Sequence, residues 1–131
     1  MPIVKGVIIG HGGFATAILK TAEQIVGKQR LVEVISNKGL SCTLLNNRIE
    51  EVIEQSDTRE TIIFVDLPGG SCTISCYNLL KKEKDLNVLC GLNLPVLIEF
   101  FMLREKYSAR ELVPILIEKG RKNIFKLESK K

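Results

Sequence analysis

The sequence predicts an α/β fold: a single doubly wound, mostly parallel sheet covered by helices on both faces. Three observations carry that expectation. Apolar, β-branched runs alternate with helix-period segments along the chain, two of those runs end in glycine-rich turns, and no repeat, linker or low-complexity stretch intervenes. Such alternation demands right-handed crossovers between parallel strands, and for four units the doubly wound order 2-1-3-4 is expected.

The elements follow in order. Ile3-Val4-Lys5-Gly6-Val7-Ile8-Ile9 is long and apolar enough for a strand buried on both faces, and Gly10-His11-Gly12-Gly13 turns it into a helix over 15–26. Ala15, Ile18, Leu19, Ala22 and Val26 share one face of that helix, and Gly27 caps it. A second strand over 31–35 leads through Ser36-Asn37-Lys38-Gly39 to a helix over 41–55, with Leu45, Ile49, Val52 and Ile53 as its core stripe. Thr61-Ile62-Ile63-Phe64-Val65 is the third strand, ending in Asp66-Leu67-Pro68-Gly69-Gly70-Ser71 before a helix over 71–82. A fourth strand over 86–90 precedes a helix over 96–106, opened by Pro95 in the first turn. Ser108 and Glu111 form a capping box for a fifth helix carrying Leu112, Ile115 and Leu116. Asn123 ends it, and Ile124-Phe125-Lys126-Leu127 alternates as a short antiparallel edge strand would.

Composition narrows the class. At 131 residues the chain has the size of one domain, with 45% hydrophobic and 26% charged residues. No apolar run approaches the ~20 residues of a membrane span, and no secretory signal pattern opens the chain, so cytoplasmic residence is expected. Cys42, Cys72, Cys76 and Cys90 lack disulfide-framework spacing and are read as reduced. The net charge of +4 is uneven: residues 119–131 hold six basic side chains against Glu128, leaving a net of −1 over the rest. A basic tail with one aromatic, Phe125, is a solvated terminus rather than a nucleic-acid surface.

His11 is the only histidine. It follows the first strand at the carboxyl edge, where open α/β sheets place ligands. In the order 2-1-3-4, the first and third strands are neighbours across the switch point, so His11 and Asp66 face one crevice. A carboxylate that accepts the imidazole Nδ1–H fixes the tautomer and leaves Nε2 as a lone pair. Gly12 and Gly13 in one turn, and Gly69 and Gly70 in the other, let backbone N–H groups at two helix N-termini approach an anion. A histidine nucleophile in such a double phosphate nest suits reversible phosphoryl transfer, with no metal or cofactor expected.

These residues also resemble a known family. Val7-Ile8-Ile9-Gly10-His11-Gly12 leading to Leu19-Lys20-Thr21-Ala22-Glu23, then Phe64-Val65-Asp66 with Gly69-Gly70-Ser71, then Gly91-Leu92-Asn93-Leu94-Pro95, are similar to the mannose-family IIA component of the bacterial phosphoenolpyruvate-dependent sugar phosphotransferase system. The resemblance runs from Ile3 to about Leu127. It implies a phosphocarrier domain over 1–131 that takes a phosphoryl group from the histidine-containing phosphocarrier HPr and passes it to a IIB component. It further implies a homodimer with an exchanged C-terminal strand, and indirect association with the membrane IIC and IID components. His11 becomes the phosphorylated residue, Asp66 its orienting carboxylate, and Ser71 part of the phosphate pocket. The sequence departs from the family pattern at Pro68 and at Cys72-Thr73-Ile74, where a proline after the serine, and an asparagine two residues further on, are frequent.

Other readings compete. Gly10-x-Gly12-x-x-Ala15 after a strand, with Glu33 downstream, matches a dinucleotide fingerprint, although Glu33 sits mid-strand and the chain lacks a second mononucleotide half. Asp66 alone could cap a loop. Cys72 and Cys76 have helical rather than C-x-x-C spacing and read as small core residues. Ser71 lacks a second histidine for hydrolase chemistry. A regulatory domain switched by phosphorylation of His11 is the remaining class.

Overall fold

The four apolar runs become parallel strands because neither their side chains nor their backbone groups can be satisfied without neighbours on every side. The computed structural model describes residues 3–130 and places β1 (Lys5–Gly10), β2 (Val32–Ser36), β3 (Thr61–Val65) and β4 (Asn87–Cys90) in one sheet of order β2-β1-β3-β4. All pairings are parallel, with Ile8 opposite Val34 and Phe64, and Phe64 opposite Leu89. The expected order is the observed one. Met1, Pro2 and Lys131, the last residue of the basic tail, lie outside the described residues.

Strand periodicity divides the interior into two cores. Ile8, Ile62, Phe64 and Leu89 point to one face, beneath α1 (Phe14–Val26), α4 (Leu94–Leu103) and α5 (Ala109–Lys122). Val7, Ile9, Ile63 and Val65 point to the other, beneath α2 (Cys42–Glu54) and α3 (Ser71–Leu80). β3 is buried at all five positions. Each such large apolar side chain contributes about 1.5–3 kcal/mol on burial, so this doubly packed sheet is a stiff platform for the turns at its edge. Among the described residues no helix is long and apolar enough to cross a membrane.

The edge opposite those turns is tied by Arg104, a buried cation that the apolar patterning does not reveal. Its Nε donates to the Val4 carbonyl at 3.0 Å and its Nη2 to the Leu31 carbonyl at 2.7 Å. Its guanidinium lies 5.0 Å from the Phe100 ring centroid, and burial pushes its pKa down to about 10, which keeps it charged at neutral pH. This clasp explains two shifts from expectation. The Val4 N–H bonds the Arg104 carbonyl, so β1 begins at Lys5. Leu31 adopts a left-handed φ of 56° to present its carbonyl, so β2 begins at Val32.

Helix ends also differ modestly: α3 stops at Leu80 and α4 at Leu103, each closing in a turn, and α4 starts at Leu94 with Asn93 as its cap. The larger correction is at the C-terminus. Residues 124–130 form no strand, and Ile124, Phe125 and Leu127 stand 77%, 71% and 86% exposed. Alternation specifies a face but not a partner, and among the described residues no strand pairs with this segment. The sheet accordingly ends at β4.

Candidate functional site

The site is built by the two central strands. The β1–β3 ladder continues one bond past its last pair, with the Asp66 N–H donating to the Ile9 carbonyl at 3.2 Å. That bond sets Asp66 beside the turn leaving β1. The carboxylate then ties the turn down: Oδ2 accepts the His11 backbone N–H at 2.9 Å and lies 2.9 Å from His11 Nδ1, while Oδ1 accepts the Leu67 N–H at 2.9 Å. Burial alone would push the Asp66 carboxyl up. The His11 backbone N–H, the His11 ring and the Leu67 N–H outweigh it, and its pKa is held below the ordinary 3.8. In the neutral ring, a carboxylate at Nδ1 favours the tautomer with its proton there, which leaves a lone pair on Nε2.

Nε2 faces α3. It lies 3.4 Å from Ser71 Oγ, and the ring packs directly on Gly70, where an added Cβ would stand 2.8 Å from His11 Cε1 and 3.1 Å from Nε2. Gly70 is therefore glycine because the imidazole occupies the space of a side chain. The His11 side chain is 37% exposed and that of Asp66 only 7%, so the ring meets solvent while its carboxylate is sheltered.

The structure places the remaining sequence-expected residues around this pair. Gly70 is the N-cap of α3 and Ser71 its first residue; Gly13 is the N-cap of α1. Neither cap offers a side-chain acceptor; the Phe14 N–H at the start of α1 donates to the His11 carbonyl at 3.2 Å, and the other first-turn N–H groups, those of α3 above all, are left to an anion. Gly12, with φ of 55°, and Gly69, with φ of 84°, are exposed in the two turns, and an added Cβ at either would meet nothing within 4 Å.

Three further residues hold the turns. Asn37 Oδ1 accepts the Gly12 N–H at 3.1 Å, and Ser36 Oγ donates to the Gly12 carbonyl at 2.7 Å. Thr73 Oγ1 donates to the Leu67 carbonyl at 2.8 Å and closes the second turn. The sequence signal for Ser36 and Asn37 is their place at the end of the strand beside β1, read above only as a loop. Glu33, by contrast, lies within β2 and pairs with Lys5 Nζ at 2.7 Å, not at the carboxyl edge where a ribose would lie. The dinucleotide reading loses its acidic residue.

The cysteines are free: Cys42 and Cys90 exposed, Cys72 and Cys76 buried. Cys72, in the first turn of α3, is nonetheless part of the site's surroundings. One ligand atom each from His11, Asp66 and Cys72 lie within 4.8 Å of one another. Burial, and next the Asp66 charge, push the Cys72 thiol up despite a hydrogen bond with the Ser71 side chain. Burial also pushes Cys76 up, to about 12.

Fold and site together define a doubly wound α/β protein with a carboxylate-oriented histidine between two uncapped helix N-termini. The family model for the PTS system fructose IIA component (EIIA-man) matches residues 5–117. The chain belongs to this mannose-type family of IIA components of the sugar phosphotransferase system. It is 32% identical over 128 residues to the PTS system mannose-specific EIIAB component of Escherichia coli (strain K12), covering 95% of this chain and 40% of that protein. It thus spans well under half the length of that relative. The PTS system fructose-specific EIIA component of Bacillus subtilis (strain 168) is 25% identical over 113 residues, 85% of this chain and 77% of that protein. Among solved structures, the phosphotransferase system component EIIA from Streptococcus agalactiae superposes with a TM-score of 0.86 at 28% identity, over 95% of this chain and 97% of that one.

Proposed function

We propose that the chain, as one phosphocarrier domain over residues 1–131, accepts a phosphoryl group from phospho-HPr on His11 and passes it to a IIB component during sugar uptake. The observation that carries this reading is the 2.9 Å bond between His11 Nδ1 and Asp66, with Nε2 left facing Ser71 and the N-terminus of α3. The Nε2 lone pair attacks phosphorus in line as the donor's P–N bond breaks, and the donor imidazole leaves with that bond's electrons. The phosphorylated ring keeps its Nδ1 proton and carries positive charge, which the ionised Asp66 stabilises. The Ser71 hydroxyl and the open N–H groups of α1 and α3 receive the phosphoryl oxygens, with Gly12, Gly13, Gly69 and Gly70 letting the backbone come close. Transfer to IIB is the same step in reverse.

The same reading includes a homodimer and indirect association with membrane IIC and IID components. Exposed Ile124, Phe125 and Leu127 beyond α5, and the free edge of β4, support exchange of the C-terminal segment between subunits. Light scattering on the full chain and on one ending at Asn123 tests it: a dimer that becomes monomeric supports exchange, and a monomeric full chain contradicts it.

Incubation with phosphoenolpyruvate, enzyme I and HPr tests the central step. A single acid-labile, base-stable phosphoryl adduct in the intact mass is expected for the wild type and none for His11→Ala. Stoichiometric labelling of His11→Ala would overturn the assignment.

A further inference from the structure

The phosphate chemistry uses His11 and Asp66 but has no role for the third polarisable group beside them. We propose that His11, Asp66 and Cys72 form a binding site for a borderline-soft divalent cation, zinc above all, and that its occupancy blocks phosphoryl acceptance. The blocking clause rests on the phosphocarrier reading; the metal site does not.

Three donors of three kinds converge. An imidazole nitrogen, a carboxylate oxygen and a thiol sulphur lie within 4.8 Å of one another. Zinc takes these donor types at about 2.0–2.3 Å, which puts neighbouring ligand atoms about 3.3–3.8 Å apart in a tetrahedral shell. The 2.9 Å between Nδ1 and Oδ2 would open by a few tenths of an ångström, and the sulphur would move inward. Mixed nitrogen, sulphur and oxygen donors select zinc and its neighbours over magnesium or calcium, which want oxygen alone. Three protein ligands leave a fourth position for water, and the 37% exposed imidazole gives the ion a way in.

A thiolate beside the Asp66 carboxylate forms only with a compensating positive charge, which a divalent cation held between the two supplies. Binding releases the thiol proton to solvent as the S–metal bond forms.

Inhibition follows from either ring nitrogen. A metal on Nε2 occupies the lone pair that attacks phosphorus. A metal on Nδ1 displaces its proton, and the tautomer with hydrogen on Nε2 has no lone pair there. Both also draw Asp66 away from its bond to the ring.

The full chain, reduced and metal-free, is titrated with Co2+ and then Zn2+. One equivalent of Co2+ is expected to give a thiolate-to-cobalt charge-transfer band that Zn2+ removes. Cys72→Ser and Cys72→Ala, checked for native circular dichroism, lose the band and bind zinc at least ~10-fold more weakly. The double variant Cys42→Ser/Cys90→Ser keeps it, because Cys72 remains. With purified phospho-HPr as donor, equimolar zinc stops labelling of the wild type, a chelator restores it, and Cys72→Ser resists. A band that survives Cys72→Ser, or disappears with Cys42 and Cys90, or never forms, overturns the proposal. Zinc bound through Cys72 in a chain that phospho-HPr never labels overturns the phosphocarrier reading and leaves the metal site standing.

Discussion

The four strand-to-helix turns at the carboxyl edge of the sheet fall into two pairs. The outer turns, after β2 and β4, end in side-chain caps: Ser41 accepts the Leu44 N–H and Asn93 accepts the Val96 N–H. The central turns, after β1 and β3, end in Gly13 and Gly70, with no side-chain cap. A cap of the outer kind is worth about 1 kcal/mol, so the central helices forgo a common source of stability. They forgo it at the switch point, where His11 stands; the Phe14 N–H bonds the His11 carbonyl, and among the described residues no side chain takes up the other first-turn N–H donors. On the phosphocarrier reading proposed above, the outer pair serves the fold and the central pair serves an anion.

The largest effect expected from breaking the central pair comes from Asp66→Asn. It keeps the shape but loses the charge that holds the Nδ1 proton and the phosphorylated ring, and the rate of transfer from phospho-HPr should fall by about 10²–10⁴. Quench-flow labelling checks this; a near-normal rate would return Asp66 to loop capping. The same variant has a pH signature. The Asp66 pKa is lowered in the folded chain, so its contribution to stability is complete above the ordinary value and is lost as pH falls through the folded one. Urea unfolding across that acid range should show wild type and Asp66→Asn converging as pH drops.

A smaller effect separates the two central glycines. Gly70→Ala drives a methyl into the imidazole and should slow transfer by about 10–100-fold through misplacement of Nε2. Gly13→Ala, whose added Cβ meets no protein atom within 4 Å, leaves the ring in place and should slow transfer less, through hindered approach of the phosphoryl group alone. Equal rates for the two would remove the close-approach argument.

Smallest in function are the outer caps. Ser41→Ala and Asn93→Ala should each cost about 1 kcal/mol in urea unfolding and leave labelling unchanged. A loss of labelling in either would erase the distinction between the pairs.

Much of this contrast is legible in the sequence, and the reason is periodicity. Apolar runs such as Thr61-Ile62-Ile63-Phe64-Val65 admit only a doubly covered strand, and the strand order then brings His11 and Asp66 to one crevice. Ser108 and Glu111 announce their capping box by type and spacing, and both of its bonds are present. What depends on tertiary approach is not legible. Gly70 looks like any turn glycine until the ring is seen against it. Ser36 and Asn37 look like loop residues until β2 lies beside β1. Arg104 reads as a solvated end of an apolar helix, yet its charge is spent on two carbonyls across the fold. Cys72, where the family pattern has proline, reads as a small core residue, and it is buried as expected; its approach to Asp66 has no sequence signature. The terminal segment 124–127 alternates like a strand, but a strand exists only with a partner.

The most direct measurement is nitrogen-15 and phosphorus-31 NMR of the chain after transfer from phospho-HPr. The arrangement around His11 predicts one phosphoryl group, bonded to Nε2, with Nδ1 still protonated and its proton held to Asp66. Phosphate on Nδ1, on Ser71 or on any other residue would contradict it.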